Sequence, residues 1–369
     1  MRPARPNHGR RGEPPPQGVR AEPPGFADVR FVGDAGDEIL TRFLGEPPRT
    51  PSPQPEAMKV LALSGGGASG AFGAGALVGL SEAGRRPLFN MVTGVSTGAL
   101  IAPFAFLGPS WDARLKDAFT DGFASEAFAL TALRPGVSLY PGEQLSGLVR
   151  RYVDADLMRA VADAHRSGRR LFVATANLDA QTTSIWDMGA IAASGQDSAL
   201  GLFATVLVAS ASLPGIFPPK MIAVESEGRF YEEMHVDGGA ITPLFVVPEG
   251  LLLRRAQDLD GEAVEVYALF NTTLDPSLRE TSLSAVPILV RSFELMLRSS
   301  YRGALRAVTA FCEINDFVLL TGSVPAELSG SSMLRFDRAA MSEMFAHGAR
   351  LAKDARLWTE AVGSAADAG

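Results

Sequence analysis

Gly94-Val95-Ser96-Thr97-Gly98 sets a serine between two glycines, after one apolar run (Phe89 to Thr93) and before another (Ala99 to Leu107). The first run reads as a buried strand and the second as a helix. A G-x-S-x-G between strand and helix describes a nucleophile elbow, in which the serine is held out on a strained turn. A side chain at Gly94 or Gly98 would clash in such a turn, so glycine is required at both. The helix begins at the serine, and its unpaired N–H groups favour the negative charge that develops during attack. Ser96 is therefore a candidate nucleophile.

A second segment lies upstream. Lys59 to Ser64 reads as a strand, Gly65-Gly66-Gly67-Ala68-Ser69-Gly70 follows at once, and Ala71 to Leu80 opens a helix. Consecutive glycines expose backbone N–H groups, and such a loop can bind a phosphate or an oxyanion. The same loop fits G-x-G-x-x-G, the dinucleotide fingerprint, which needs an acidic residue at the end of the next strand. That strand runs into the Ser96 turn without one, which favours an oxyanion hole over a nucleotide-binding protein. A glycine turn packed between strand and helix is the plain structural alternative.

The third segment, Val236-Asp237-Gly238-Gly239, is either a turn or an aspartate with a task, since Asp and Gly are both turn formers. The chain has four histidines. His8 lies in a Pro-rich leader and His165 on a charged helix end. His235 can share a strand face with Asp237. His347 alone fits the order of a Ser…Asp…His triad. None has a local signature, so a triad completed by His347 and a serine–aspartate pair both stand.

Taken in order, Gly65-x-Gly67-x-x-Gly70, Gly94-x-Ser96-x-Gly98 and Asp237-Gly238-Gly239 resemble the patatin-like phospholipase family. Ala209-Ser210-Ala211-Ser212-Leu213-Pro214-Gly215-Ile216-Phe217-Pro218-Pro219 is similar to the segment that precedes the aspartate there. The resemblance covers residues 58 to 245 well. It implies a three-layer α/β/α sandwich with a mostly parallel sheet, and a serine lipid acyl hydrolase cleaving fatty-acyl esters. It also implies Ser96 as nucleophile, Asp237 as general base and the amides of Gly65, Gly66 and Gly67 as oxyanion hole. Gly70, Gly94, Gly98, Gly238 and Gly239 would shape the motifs. Many members carry Lys or Arg where this chain has Ser69, so the hole here would rest on backbone donors.

Chemically the pair is sound. A serine hydroxyl is a poor nucleophile until a base takes its proton. A free aspartate, with a pKa of about 3.9, is a weak base at neutral pH. Burial against apolar groups would raise that value and improve it as a proton acceptor.

The background composition is that of a soluble enzyme. With 46% hydrophobic residues the 369-residue chain can build a sizeable core, and a net charge of −7 argues against nucleic acid as a partner. The single Cys312 excludes an internal disulfide and reads as a small core hydrophobe in a helix. No metal-ligand spacing occurs, and no metal or cofactor is expected. The longest uncharged apolar run, Ala199 to Ala211, is too short to span a bilayer and reads as a core helix behind the site. Residues 1–57 read as a Pro- and Arg-rich, largely disordered leader, with Phe26 to Leu44 able to dock. Residues 58–363 read as the phospholipase domain and 364–369 as a disordered tail. Without an apolar h-region the leader does not read as a signal peptide. A cytoplasmic or peripherally membrane-bound protein is expected, with a start upstream of Met1 leaving room for an export signal.

The remaining pattern alternates as α/β folds do. Helices are expected at Gln144 to Tyr152, Asp156 to His165, Ser198 to Ser210, Ala285 to Phe311 and Arg338 to Val362. Strands are expected at Leu171 to Ala176, with Thr182 to Asp187 as its hairpin-like partner, and at Val264 to Phe270 and Phe317 to Leu320. In the long helix Arg291, Arg298, Arg302 and Arg306 fall on one face, with Val286, Leu289, Val290, Phe293, Leu297, Leu305 and Val308 as its apolar part. That face is either solvated, with Glu294–Arg298 as an i,i+4 pair, or a peripheral contact with an anionic membrane surface.

Overall fold

The strands of the sheet are β1 (Arg30–Val32), β2 (Met58–Leu63), β3 (Met91–Val95), β4 (Arg170–Asn177), β5 (Thr182–Asp187), β6 (Lys220–Ser226), β7 (Arg229–Asp237), β8 (Val264–Phe270), β9 (Val318–Ser323) and β10 (Thr359–Val362). They come from a computed structural model that describes residues 12–33, 57–122, 142–252, 263–276, 278, 280–328 and 336–362. Their order is β1-β5-β4-β3-β2-β8-β9-β10, with β7 added beside the end of β4 and β6 beside β7. The central strands β4-β3-β2-β8-β9 are parallel, and the flanking pairs are antiparallel.

Parallel strands are covered on both faces, so they read as unbroken apolar runs, and successive side chains supply the two faces in turn. In β2, Leu61 and Leu63 join one core cluster while Val60 and Ala62 join the other. The first cluster holds α1 (Gly70–Glu82), α2 (Thr97–Leu107), α3 (Asp112–Thr120), α4 (Gly142–Tyr152), α5 (Ala155–Arg166), α6 (Met188–Ala193) and α7 (Ala199–Ser210) against the sheet. The second lies under Leu244 to Leu251 and α8 (Ala285–Asn315). The last helix, α9 (Arg338–Lys353), returns to the first layer and lies on α1 with almost no side chain between them. A Cβ on Gly75 would collide with the carbonyl of Phe345, and one on Gly348 with that of Phe72. The result is the expected α/β/α arrangement with a mostly parallel sheet.

One local feature differs from the sequence reading, and two more were left open by it. The last helix does not run to Val362. It stops at Lys353, Ala355 turns the chain with φ 57°, and Thr359–Val362 pairs antiparallel with β9. No Gly or Pro marks that stop, so the apolar spacing ran on through it. The approach to Asp237 is the second arm of a β6–β7 hairpin turned at Glu227 and Gly228, both with positive φ. In α8 the apolar set is only partly core: Leu297 and Val308 are buried, but Leu289 is 68% exposed.

Within the leader, residues 12–33 pack on the domain. β1 pairs with β5, and Phe26, Val29 and Phe31 are buried. Arg30 pairs with Glu233 and lies over the Trp186 ring. Residues 34–44 of the expected docking stretch, and the tail 364–369, lie outside the described residues.

Candidate active site

The chain lays β2, β3 and β4 outward in one direction, then returns to the other side of β2 with β8 and β9. Open α/β sheets bind ligands beyond the carboxyl ends of the strands at such a reversal. Ser64, Ser96 and Asn271 follow the ends of β2, β3 and β8, and all the candidate chemistry gathers there.

Ser96 has φ 58° and ψ −126°, a conformation that costs a non-glycine residue roughly 1–3 kcal/mol and persists only when its surroundings fix it. Its amide donates to the Ser210 hydroxyl at 3.0 Å, and that hydroxyl donates to the carbonyl of Ala174 on β4 at 2.7 Å. Its carbonyl accepts from Ala99 N at 2.9 Å, which starts α2. A Cβ on Gly98 would collide with the carbonyl of Leu63, so the glycine lets the elbow lie against the end of β2.

The Gly65–Gly70 loop is wedged between the ends of β3 and β8. A Cβ on Gly66 would collide with the carbonyl of Asn271, and one on Gly65 would sit 3.0 Å from Ser96 Cβ. Asn271 fastens the loop, donating from N to Ser64 Oγ at 2.9 Å and from Nδ2 to Ser64 O at 2.8 Å. Gly67 turns the chain with φ 57°, a short 3₁₀ turn spans Gly67–Ser69, and a Cβ on Gly70 would collide with Thr97 Oγ1. The amides of Gly65, Gly66 and Gly67 donate to no other group among the described residues.

Asp237 ends β7, opposite Thr175 of β4, and is 1% exposed. Gly238 and Gly239 follow without side chains, and Gly239 N donates to Asp237 Oδ1 at 2.8 Å. Oδ2 is buried without a formed hydrogen bond among the described residues. Burial raises the carboxyl pKa to about 7, against the opposing pull of the Ser96 side chain and the Gly239 amide. The Ser96 hydroxyl is thus near enough to be felt by the carboxylate, yet looser than a formed bond.

The end of α7 ties Ser96 and Asp237 together. Ser210 holds the Ser96 amide, and two residues on, the carbonyl of Ser212 accepts the amide of Asp237 at 2.9 Å. Behind Asp237 the strand is pinned by a buried polar chain. His235 lies between Glu233 (Nε2 to Oε2, 3.1 Å) and Thr175 (Nδ1 to Oγ1, 2.9 Å), and Trp186 Nε1 donates to Thr175 Oγ1 at 2.8 Å. Burial disfavours the charged form of Glu233, but bonds from His235 and Arg30 outweigh it and bring its pKa to about 2. His235 is therefore a structural residue of β7. His165 lies 3.6 Å from Asp187. His347 sits on α9 with Nδ1 beside Arg350 and shares no interaction with Ser96 or Asp237 among the described residues.

Sequence reasoning missed Ser210, Ser212 and Asn271 as site residues, and also Tyr301. The Tyr301 hydroxyl lies 2.8 Å from where a Cβ on Gly65 would stand, and burial together with the Asp237 charge pushes its pKa up. It brings a hydroxyl to a loop whose expected basic position is the neutral Ser69. Ser96 opens on a cleft of about 750 Å³, counting its open mouth, walled by Leu100, Phe104, Leu145, Val149, Phe217 and Met341.

Residues 61–248 match the sequence model of the Patatin-like phospholipase family, and the match takes in the glycine loop, the elbow and the Asp-Gly-Gly turn. The chain belongs to this family. As a patatin-like phospholipase it is a hydrolase of ester bonds, acting on lipid acyl esters. Among solved structures it is similar to VipD from Legionella pneumophila at 12% identity, covering 83% of this chain and 68% of that one, with a TM-score of 0.41. It is also similar to the type III effector protein ExoU at 12% identity, covering 85% of this chain and 57% of that one, with a TM-score of 0.28. No curated protein matches the chain. The assignment rests on the family match and not on these two likenesses.

Proposed function

We propose that this patatin-like phospholipase cleaves its ester through Ser96 and Asp237, with the Gly65, Gly66 and Gly67 amides as oxyanion hole. The observation that carries the dyad is the Asp237 carboxyl, buried at the elbow with one oxygen held by Gly239 and the other without a formed bond. A pKa near 7 matches a base that must take a proton at neutral pH.

In the first half-reaction Asp237 takes the hydroxyl proton as Ser96 Oγ bonds to the ester carbonyl carbon. The tetrahedral oxyanion rests on the loop amides, whose lack of other acceptors leaves them ready for it. Collapse breaks the ester bond, and the leaving alcohol takes the proton from Asp237. Water then gives a proton to Asp237 and attacks the acyl-Ser96, which releases the fatty acid as the proton returns to Ser96. The apolar walls of the cleft suit an acyl chain.

The test is a fluorophosphonate probe with long-chain and short-chain esters as substrates. Wild type is labelled at Ser96 and turns over ester, Ser96→Ala does neither, and His347→Ala keeps most of the activity. Undiminished turnover in Ser96→Ala, or a dead His347→Ala, would overturn the dyad.

A further inference from the structure

α8 is longer than the layer it belongs to. It runs opposite to the parallel strands, since its carboxyl end leads directly into β9. Its level against the sheet is fixed at two points. Tyr301 meets the Gly65 loop, and Leu297 Cδ2 lies 4.0 Å from where a Cβ on Gly239 would stand. From there toward its C-terminus the helix is anchored by Val308, Phe311 and Cys312 in the core. In the other direction it continues past the catalytic edge. At 1.5 Å per residue, Ala285 stands about 24 Å along the axis from Tyr301.

Nothing in Pro287–Met296 is buried, although the stretch is rich in large apolar side chains. Leu289 is 68% exposed, Leu295 51%, Met296 66%, and Leu283 just before the helix 99%. Ile288, Leu295 and Arg302 recur at steps of seven and so share one side, with Arg306 a turn beyond Arg302. Arg302 and Arg306 are exposed. Between Ala285 and Arg306 the only acidic residue is Glu294, which pairs with Arg291 at 3.3 Å. Thus an outward helix side is apolar at its projecting tip and cationic nearer the body, in a chain whose net charge is −7.

We propose that this projecting end of α8 docks the protein on an anionic lipid bilayer. Leu289, Leu295 and Met296 enter the boundary between head groups and acyl chains, and Arg302 and Arg306 meet phosphates above them. A helix with an apolar side and basic residues beside it binds such a surface. The order of the two along α8 matches the order of the layers in a bilayer leaflet. The position beside the catalytic edge would bring Ser96 close to esters that remain in the membrane. The inference rests on the reading of the chain as a lipid hydrolase.

The full chain is sedimented with phosphatidylcholine vesicles, with and without phosphatidylglycerol, and its turnover of a soluble short-chain ester is measured in parallel. Wild type should co-sediment, more strongly on the anionic vesicles, and added salt should reduce the difference. Leu289→Ser with Met296→Ser should lower partition at least about tenfold on both vesicles. Arg302→Glu with Arg306→Glu should abolish only the anionic preference, which is about fivefold per arginine. Unchanged soluble-ester turnover shows that both variants fold. Equal partition of wild type and Leu289→Ser/Met296→Ser would overturn the proposal. So would a dimer that disappears in that variant, which would make a second copy the occupant of this face. Failure of the catalytic reading would show separately, as loss of soluble-ester turnover in wild type.

Discussion

Asp237→Asn separates what the carboxylate does for chemistry from what it costs the fold. Asparagine keeps the shape and the Oδ1 acceptor for Gly239 N but cannot ionise. In the native protein the carboxyl titrates near 7, against an ordinary value of 3.8. Between those values the folded state holds a proton that the unfolded state has released. Stability therefore falls as pH rises from about 4 to about 7 and stays low above that. A gap of about three pH units, at 1.36 kcal/mol each, gives about 4 kcal/mol carried against folding at alkaline pH. Asp237→Asn removes that burden while it removes the proposed base. Its stability relative to wild type should be near zero at about pH 4 and grow through neutrality to a plateau of a few kcal/mol. Urea unfolding at a series of pH values and constant ionic strength measures this difference. The same variant should lose nearly all ester turnover, and wild-type kcat/KM should rise with an apparent pKa near 7. A stability difference that is flat with pH, or that shrinks as pH rises, would refute the assignment of Asp237 as the buried group titrating near neutrality.

Two further substitutions probe the frame around the pair. Ser210→Ala should cost about 1–3 kcal/mol, because it leaves the Ser96 amide and the Ala174 carbonyl without their shared partner. Steady-state kinetics should show a fall in kcat larger than any change in KM, as the elbow loosens. Gly66→Ala must push the loop away from Asn271 O. Losing the alignment of a proposed oxyanion donor should reduce kcat about a hundredfold or more, with fluorophosphonate labelling slowed in parallel.

The placement of Ser96, the glycine loop and Asp237 was legible because each depends on its immediate neighbours: a glycine that clears a backbone, a strand that ends, a helix that starts. Ser210, Ser212, Asn271 and Tyr301 were not, because their roles come from partners distant in sequence. Ser210 stood inside a recognisable segment, yet nothing local tells that its hydroxyl reaches back to residue 96. Tyr301 is one aromatic residue among the apolar positions of a long helix. The same helix shows the limit of periodicity. Spacing marks Leu289 as part of an apolar face, but whether anything lies opposite is decided by the length of the sheet beneath. The end of α9 was misread for a related reason, since Leu357 and Trp358 extend the helical spacing while the chain has already turned into an edge strand.

The face-to-face glycine packing of α1 and α9 bears on how much of the chain is needed for a working enzyme. The family match ends at residue 248, and a truncation there would look like a minimal catalytic fragment. It would retain Ser96, Asp237 and every loop glycine, yet lose the helix whose backbone lies directly on α1, the element that issues from the glycine loop. It would also strip β8 from the side of β2 and take away Asn271, the residue that fastens Ser64. The segment that holds Ser96 and Asp237 is thus braced by residues beyond the family match. Mutations that disturb Asn271 or the close contact of α9 with α1 should accordingly lower activity although they lie outside the family match.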